Sequence, residues 1–144
     1  MRSNLISEYS LSLSEIADLI GSPDANLEKI SLLIKGISLN SNDVIQGDLF
    51  VALPGENSHG SKFIDSAVAN GAIAVLTDKS AIVNADIPVL RVNNPRLWVG
   101  IIADKFYRSP SSAINVFGIT GTNGKTTTSY LLQQIWDFNK RNSG

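Results

Sequence analysis

The sequence predicts an α/β protein built in two pieces, and three observations carry that prediction. From the N-terminus to about residue 108, short apolar runs of strand length alternate with stretches of helical periodicity. Ser109-Pro110-Ser111-Ser112 then interrupts the alternation with the composition of a hinge. Beyond it an apolar run, a glycine-rich loop and a second helical pattern follow in that order. We therefore expect one domain over residues 1–110 and the start of another over residues 111–144.

The elements can be justified in turn. Ser12-Leu13-Ser14-Glu15 reads as a capping box, with Leu13, Ile16, Ala17 and Ile20 at helical spacing and Gly21 placed to end the helix. Pro23 fits a turn after it. Residues 30–39 are rich in β-branched side chains and broken by Lys35-Gly36, which predicts short strands. Gln46-Gly47-Asp48 turns into Leu49-Phe50-Val51-Ala52-Leu53, a buried strand by composition, and residues 54–60 read as a loop in which His59 is exposed. Phe63/Ala67 and Ile64/Val68 share a helical face ahead of Gly71. Residues 72–76 and 89–92 are further strands. Asn94-Pro95 supplies an N-cap with proline at the first helical position, opening a helix expected to bury Trp98, Ile101, Ile102 and Phe106.

Composition narrows the function. Apolar residues make up 43% and charged residues 17%, which is globular rather than disordered. Twelve basic side chains against thirteen acidic ones leave a net charge of −1, with no general attraction for nucleic acid or an anionic membrane. The absence of cysteine excludes disulfides and thiolate metal sites, and one histidine makes a zinc site improbable. No window approaches the ~18 apolar residues of a membrane span. The expectation is a soluble cytoplasmic protein.

The chemistry concentrates in Thr120-Gly121-Thr122-Asn123-Gly124-Lys125-Thr126-Thr127-Thr128, between the apolar residues 114–119 and the helical pattern 130–136. Strand, loop and helix in this order make a phosphate cradle. The glycines open backbone conformations closed to other residues, and the helix adds its unsatisfied N–H groups and positive dipole end. Lys125 would place a charge on the β- and γ-phosphates, and the Thr126 hydroxyl suits Mg²⁺. The general P-loop pattern wants glycine five positions before the Gly-Lys pair, where this chain has Ile119. A glycine-rich turn carrying a lysine by chance is the plainer alternative; the strand–loop–helix context favours nucleotide phosphate.

The segment Gly47-Asp48-Leu49-Phe50-Val51-Ala52-Leu53-Pro54-Gly55-Glu56, then Phe63-Ile64, Ala67 and Asn70-Gly71-Ala72, resembles the N-terminal domain of the Mur ligases. The loop from Gly118 to Thr128 resembles the opening of their central ATPase domain, whose phosphate loop is a variant keyed on Thr-Gly-Thr-Asn-Gly-Lys-Thr-Thr. The resemblance implies a mixed sheet with flanking helices, followed by the first strand, P-loop and helix of an ATPase domain that continues past residue 144. Within the family the threonine run is similar to the MurE type, which adds the third peptide residue, meso-diaminopimelate or L-lysine, to UDP-MurNAc-L-Ala-D-Glu. The MurF type, which adds D-Ala-D-Ala, is the alternative inside the family. A non-catalytic UDP-glycopeptide-binding module and an unrelated P-loop NTPase are the alternatives outside it.

The family's roles carry over by position. The resemblance assigns ATP to Gly121, Thr122, Asn123, Gly124, Lys125, Thr126 and Thr127, Mg²⁺ to Thr126, and the catalytic charge to Lys125. It assigns the UDP part of the substrate to Leu39 and Ser41 and to the loop residues Glu56, Asn57 and Ser58. The partners implied are UDP-MurNAc-dipeptide and an amino acid, joined through an acyl phosphate. Two departures stand out: Asn40-Ser41-Asn42 where the family usually reads Asp-Ser-Arg, and His59-Gly60-Ser61 where Asp-Gly-His is common. The family's remaining metal ligands, carbamylated lysine and amino-acid site are expected beyond residue 144, so residues 1–144 alone are expected to be inactive.

Overall fold

Residues 9–21, 31–56 and 58–140 are described by the computed structural model; Pro23 and Asn57 lie outside the described residues. The chain divides into two units, Met1–Pro110 and Ser111–Gly144.

The first unit begins with strand β1 (Leu11–Ser12) and helix α1 (Leu13–Ile20). Ser12 Oγ accepts from the Glu15 N–H at 3.2 Å, and Glu15 Oε2 accepts from the Ser12 N–H at 2.9 Å, so the predicted capping box forms. Gly21 ends the helix at φ +62, donating its N–H to the Ala17 and Asp18 carbonyls. β1 pairs antiparallel with β2 (Leu33–Ile34) as a separate ribbon. The Lys35 break then separates β2 from the main sheet.

That sheet contains β3 (Gly36–Ser38), β4 (Asp48–Ala52), β5 (Ala72–Asp78) and β6 (Val89–Val92), hydrogen-bonded in chain order and parallel throughout. Parallel strands are covered on both faces, so their sequences run apolar without interruption. Leu49, Val51, Leu76, Leu90 and Val92 pack on one side with α1 and with α3 (Pro95–Phe106). Phe50, Ala52 and Val75 pack on the other with α2 (Ile64–Ala69).

The register slips once. Asp48 pairs with Ala72 but Leu49 pairs with Ala74, so Ile73 is an extra residue in β5. The slip exchanges the faces: Ala72 belongs to the α2 side and Ala74 to the opposite one.

Asp48 is buried on this sheet at 1% exposure, and its Oδ2 accepts from the Ile45 N–H at 3.1 Å. A Cβ on Gly36 would collide with the Asp48 carboxylate, which explains a glycine inside β3. Gly47, at φ +97, donates to the Gly71 carbonyl at 3.0 Å. The Gly-Asp-Leu-Phe motif therefore holds the turn between β3 and β4.

Two helical expectations need correction. Residues 60–63 form a 3₁₀ turn and α2 starts only at Ile64, so Phe63 lies outside the helix and is 47% exposed. Asn94 and Pro95 open α3 as expected, with the Leu97 N–H donating to Asn94 Oδ1 at 3.2 Å. Of the four residues expected to be buried, Ile102 and Phe106 are; Trp98 is half-buried and Ile101 exposed. Trp98, Ile102 and Phe106 are four apart and follow one line, whereas Ile101 points about 100° away from Ile102.

The second unit contains helix α4 (Lys125–Phe138). The strand expected over residues 114–119 does not form: no strand pairs with this segment among the described residues, and Ile114, Val116 and Phe117 are exposed. A lone strand has no ladder to satisfy its backbone, so apolar β-branched composition is insufficient. Phe117 instead packs its ring on Trp136, centroids 5.0 Å apart. Among the described residues no helix is long and apolar enough to cross a membrane.

Candidate functional site

In the first unit the sheet itself selects an edge. All four parallel strands end on the same side, so the segments after Ser38, Ala52, Asp78 and Val92 share it, and such edges are where α/β folds hold ligands. Leu39 follows β3 directly and is exposed. Glu56 and Ser58 lie in the loop after β4, Glu56 exposed and Ser58 half-buried. Asn57, between them, lies outside the described residues.

Ser41 is placed differently, at 7% exposure at the start of a 3₁₀ turn, Ser41–Asp43. Its carbonyl accepts from Asn70 Nδ2 at 2.9 Å, tying the turn to the end of α2. Asn40 caps the turn, accepting from the Asn42 N–H at 3.1 Å and donating to Asp43 Oδ2 at 3.0 Å. The asparagine that departs from the usual Asp-Ser-Arg therefore has local work of its own.

The loop after β4 is drawn tight. The Gly60 N–H donates to the Leu53 carbonyl at 2.8 Å, and Pro54 and His59 form an antiparallel bridge. A Cβ on Gly60 would lie 2.8 Å from the Leu53 nitrogen, and one on Gly55 would lie 2.8 Å from the Ser58 carbonyl oxygen. Only glycine fits at either point.

His59 is not an exposed loop residue, contrary to the sequence reading. Its Nδ1 accepts from the Ser61 N–H at 3.0 Å and its Nε2 lies 2.5 Å from Asp78 Oδ2. With Nδ1 accepting, the proton sits on Nε2 and is donated to Asp78. Asp78 Oδ1 accepts from the Ser80 N–H at 2.8 Å and from the Ser80 hydroxyl. The Ser80 hydroxyl is the main reason the Asp78 carboxyl is held down to about 2; burial opposes it and His59 reinforces it. Asp78 escaped the sequence reading because it stands nineteen residues from His59. Pairing of β4 with β5 brings them together, and no local spacing signals that.

The second unit holds the glycine loop. Gly121 is at φ +151 and Gly124 at φ +77, where Gly124 is the N-cap of α4 and no side chain caps the helix. Thr122 and Asn123 are exposed between them, and Lys125, Thr126 and Thr127 form the first turn, also exposed. The N–H groups of that turn have no acceptor inside the helix. Lys125 Nζ donates to the Gly121 carbonyl at 2.6 Å, closing the loop with its own cation. Thr128 Oγ1 donates back to the Gly124 carbonyl at 2.9 Å.

This geometry fits a phosphate: uncapped donors, a lysine ammonium beside them, and glycines with open space at Gly124 and only the Asn123 carbonyl, 3.6 Å away, at Gly121. No cluster of three or more His, Cys, Asp or Glu side chains occurs among the described residues. A Mg²⁺ ion here would be held through phosphate oxygens and the Thr126 hydroxyl.

The fold defines the class: a parallel α/β domain, and in the second unit a glycine loop opening a helix. A model of the Mur ligase family, catalytic domain, matches residues 33–107, over half of the chain. The chain belongs to the Mur ligase family. It is 41% identical over 107 residues to a UDP-N-acetylmuramoyl-L-alanyl-D-glutamate--2,6-diaminopimelate ligase of Xylella fastidiosa, covering 73% of this chain and 22% of that protein. A Streptomyces coelicolor protein of the same name is 42% identical over 126 residues, covering 84% and 24%.

Among solved structures, the UDP-N-acetylmuramoylalanyl-D-glutamyl-2,6-diaminopimelate--D-alanyl-D-alanyl ligase from Acinetobacter baumannii superposes with a TM-score of 0.68 at 26% identity, over 89% of this chain and 28% of that one. The MurF ligase from Thermotoga maritima in complex with ADP matches at 34% identity and a TM-score of 0.50, over 70% and 23%. The chain thus spans about a quarter of the length of the proteins it resembles.

Proposed function

We propose that these residues are the UDP-substrate domain and phosphate loop of an ATP-dependent ligase that adds 2,6-diaminopimelate to UDP-MurNAc-L-Ala-D-Glu. The observation that carries the reading is the uncapped start of α4, where Gly124 at φ +77 and Lys125 leave a helix terminus shaped for phosphate. Relatives above 40% identity carry the name of the third-residue ligase, which supports it over the D-alanyl-D-alanyl ligase, whose solved structures are 26% and 34% identical. They likewise favour 2,6-diaminopimelate over lysine.

ATP supplies the phosphoryl group that activates the substrate carboxylate. The chain's part is positioning and charge neutralisation, which dominate phosphoryl transfer. Gly121, Thr122, Asn123 and Gly124 wrap the phosphates with backbone donors, and Thr126 and Thr127 extend that cradle. Lys125 would exchange the Gly121 carbonyl for phosphate oxygens, and the Thr126 hydroxyl would hold Mg²⁺. Leu39, Ser41, Glu56, Asn57 and Ser58 border the uridine diphosphate, Glu56 through its backbone or a ribose hydroxyl because its charge repels phosphate.

Two titrations test this. Lys125→Ala is expected to weaken Mg-ATP binding by roughly tenfold or more, the scale of a charge-assisted hydrogen bond, with UDP binding unchanged. Undiminished ATP affinity removes Lys125 from the site, and absence of both ligands removes the reading. Residues 1–144 alone are expected to release no ADP when given both substrates.

A further inference from the structure

The two exit loops of adjacent strands β4 and β5 are joined by side chains outside the set assigned above. His59 leaves the loop after β4 and Asp78 closes β5, and their 2.5 Å contact spans the substrate edge of the sheet. Each partner is held from its other side. His59 Nδ1 is engaged by the Ser61 N–H, and Asp78 Oδ1 by the backbone and hydroxyl of Ser80. The pair is partly shielded, with side chains 26% and 13% exposed, so solvent weakens the bond only in part. Both ring nitrogens of His59 are engaged within the fold, Nδ1 by the Ser61 N–H and Nε2 by Asp78, which is the arrangement of a positioning residue.

We propose that His59 and Asp78 form a clasp that holds Pro54, Gly55, Glu56 and Ser58 in the shape that binds the uridine diphosphate, and so set the affinity of that site. This rests on the proposed placement of the nucleotide on Glu56 and Ser58. The loop between Pro54 and His59 is short, and its far end is anchored by the Gly60–Leu53 hydrogen bond and the Pro54–His59 bridge. The imidazole tethers that anchored end to β5. Without the tether the loop keeps its backbone anchors but loses its fixed side-chain stop, and binding must then order it.

The test combines UDP titration with amide hydrogen exchange on the same variants. His59→Ala and Asp78→Ala are each expected to raise the UDP dissociation constant roughly tenfold, with the double variant no weaker than either single one, as coupled residues require. His59→Gln keeps the donor and is expected to recover most of the affinity, whereas Asp78→Asn keeps one acceptor oxygen for the donors of both His59 and Ser80 and is expected to recover only part. Exchange at residues 59–61 is expected to accelerate in the alanine variants while residues 49–52 and 74–76 stay protected. Wild-type affinity in both alanine variants, additive losses, or unchanged exchange at 59–61 overturns the clasp. If the wild-type protein binds no UDP, the placement of the nucleotide fails, and the exchange data alone then decide whether the pair holds the loop.

Discussion

The two loops proposed to bind ligands in this chain are held in different ways. The loop after β4 is secured by the sheet as well as by its own backbone: His59 reaches Asp78 on β5, and Gly60 lies against Ala52 at the end of β4. The loop before α4 is secured from within, by Lys125 reaching back to Gly121, and a Cβ on Gly124 would meet nothing within 4 Å. The first loop depends on a buried two-faced sheet. The second depends on backbone conformation and one exposed helix. The difference teaches that a glycine loop before a helix can be written locally, whereas the loop after β4 needs the sheet beneath it.

Core truncation breaks the comparison hardest. Phe50→Ala is expected to destabilise the first unit by about 3–5 kcal/mol, because Phe50 is 1% exposed and its cavity cannot close against α2. Urea unfolding followed by near-UV signals of the first unit, with α4 helicity monitored separately, reads it. A matching loss in α4 would show that the units are not independent.

Glycine substitutions come next and separate the loops by mechanism. Gly60→Ala drives a methyl into the Leu53 and Ala52 backbone and should cost about 1–3 kcal/mol of global stability. Gly124→Ala meets no neighbour, so it should cost only the local strain of φ +77, about 1–2 kcal/mol, read as lost α4 helicity and weaker ATP binding. Ser12→Ala removes the capping hydroxyl of α1 and should cost about 1 kcal/mol, checked by the same urea titration.

The smallest effect is a pH dependence confined to the first unit. Asp78 is held at about 2 against an ordinary 3.8, so it binds fewer protons folded than unfolded. Its contribution is complete above about 4 and is lost as pH falls through about 2. Glu15, lowered chiefly by its bond to the Ser12 N–H, acts with the same sign. Acid titration of Asp78→Asn should show a flatter stability profile over that window, and an unchanged slope would contradict the assignment.

By itself the sequence determined whatever is decided within a few residues. The capping box of Ser12 and Glu15, the left-handed stop at Gly21, the Asn94-Pro95 start and the glycine loop into α4 were all legible, because caps and turns obey local backbone sterics and hydrogen bonding. The parallel strands of the first unit were legible too, since buried parallel strands read as apolar runs, but the short antiparallel β1 was not. Only the tertiary structure decided the rest. It placed the extra residue at Ile73, turned Ile101 outward, and brought Asp78 to His59 across the β4–β5 pairing. It also left residues 114–119 without a strand among the described residues, though their composition asks for one. The physical reason is common to all four: a strand, a face or a paired side chain exists only relative to a neighbour distant in sequence, and apolar periodicity says that a neighbour is wanted without saying which one arrives.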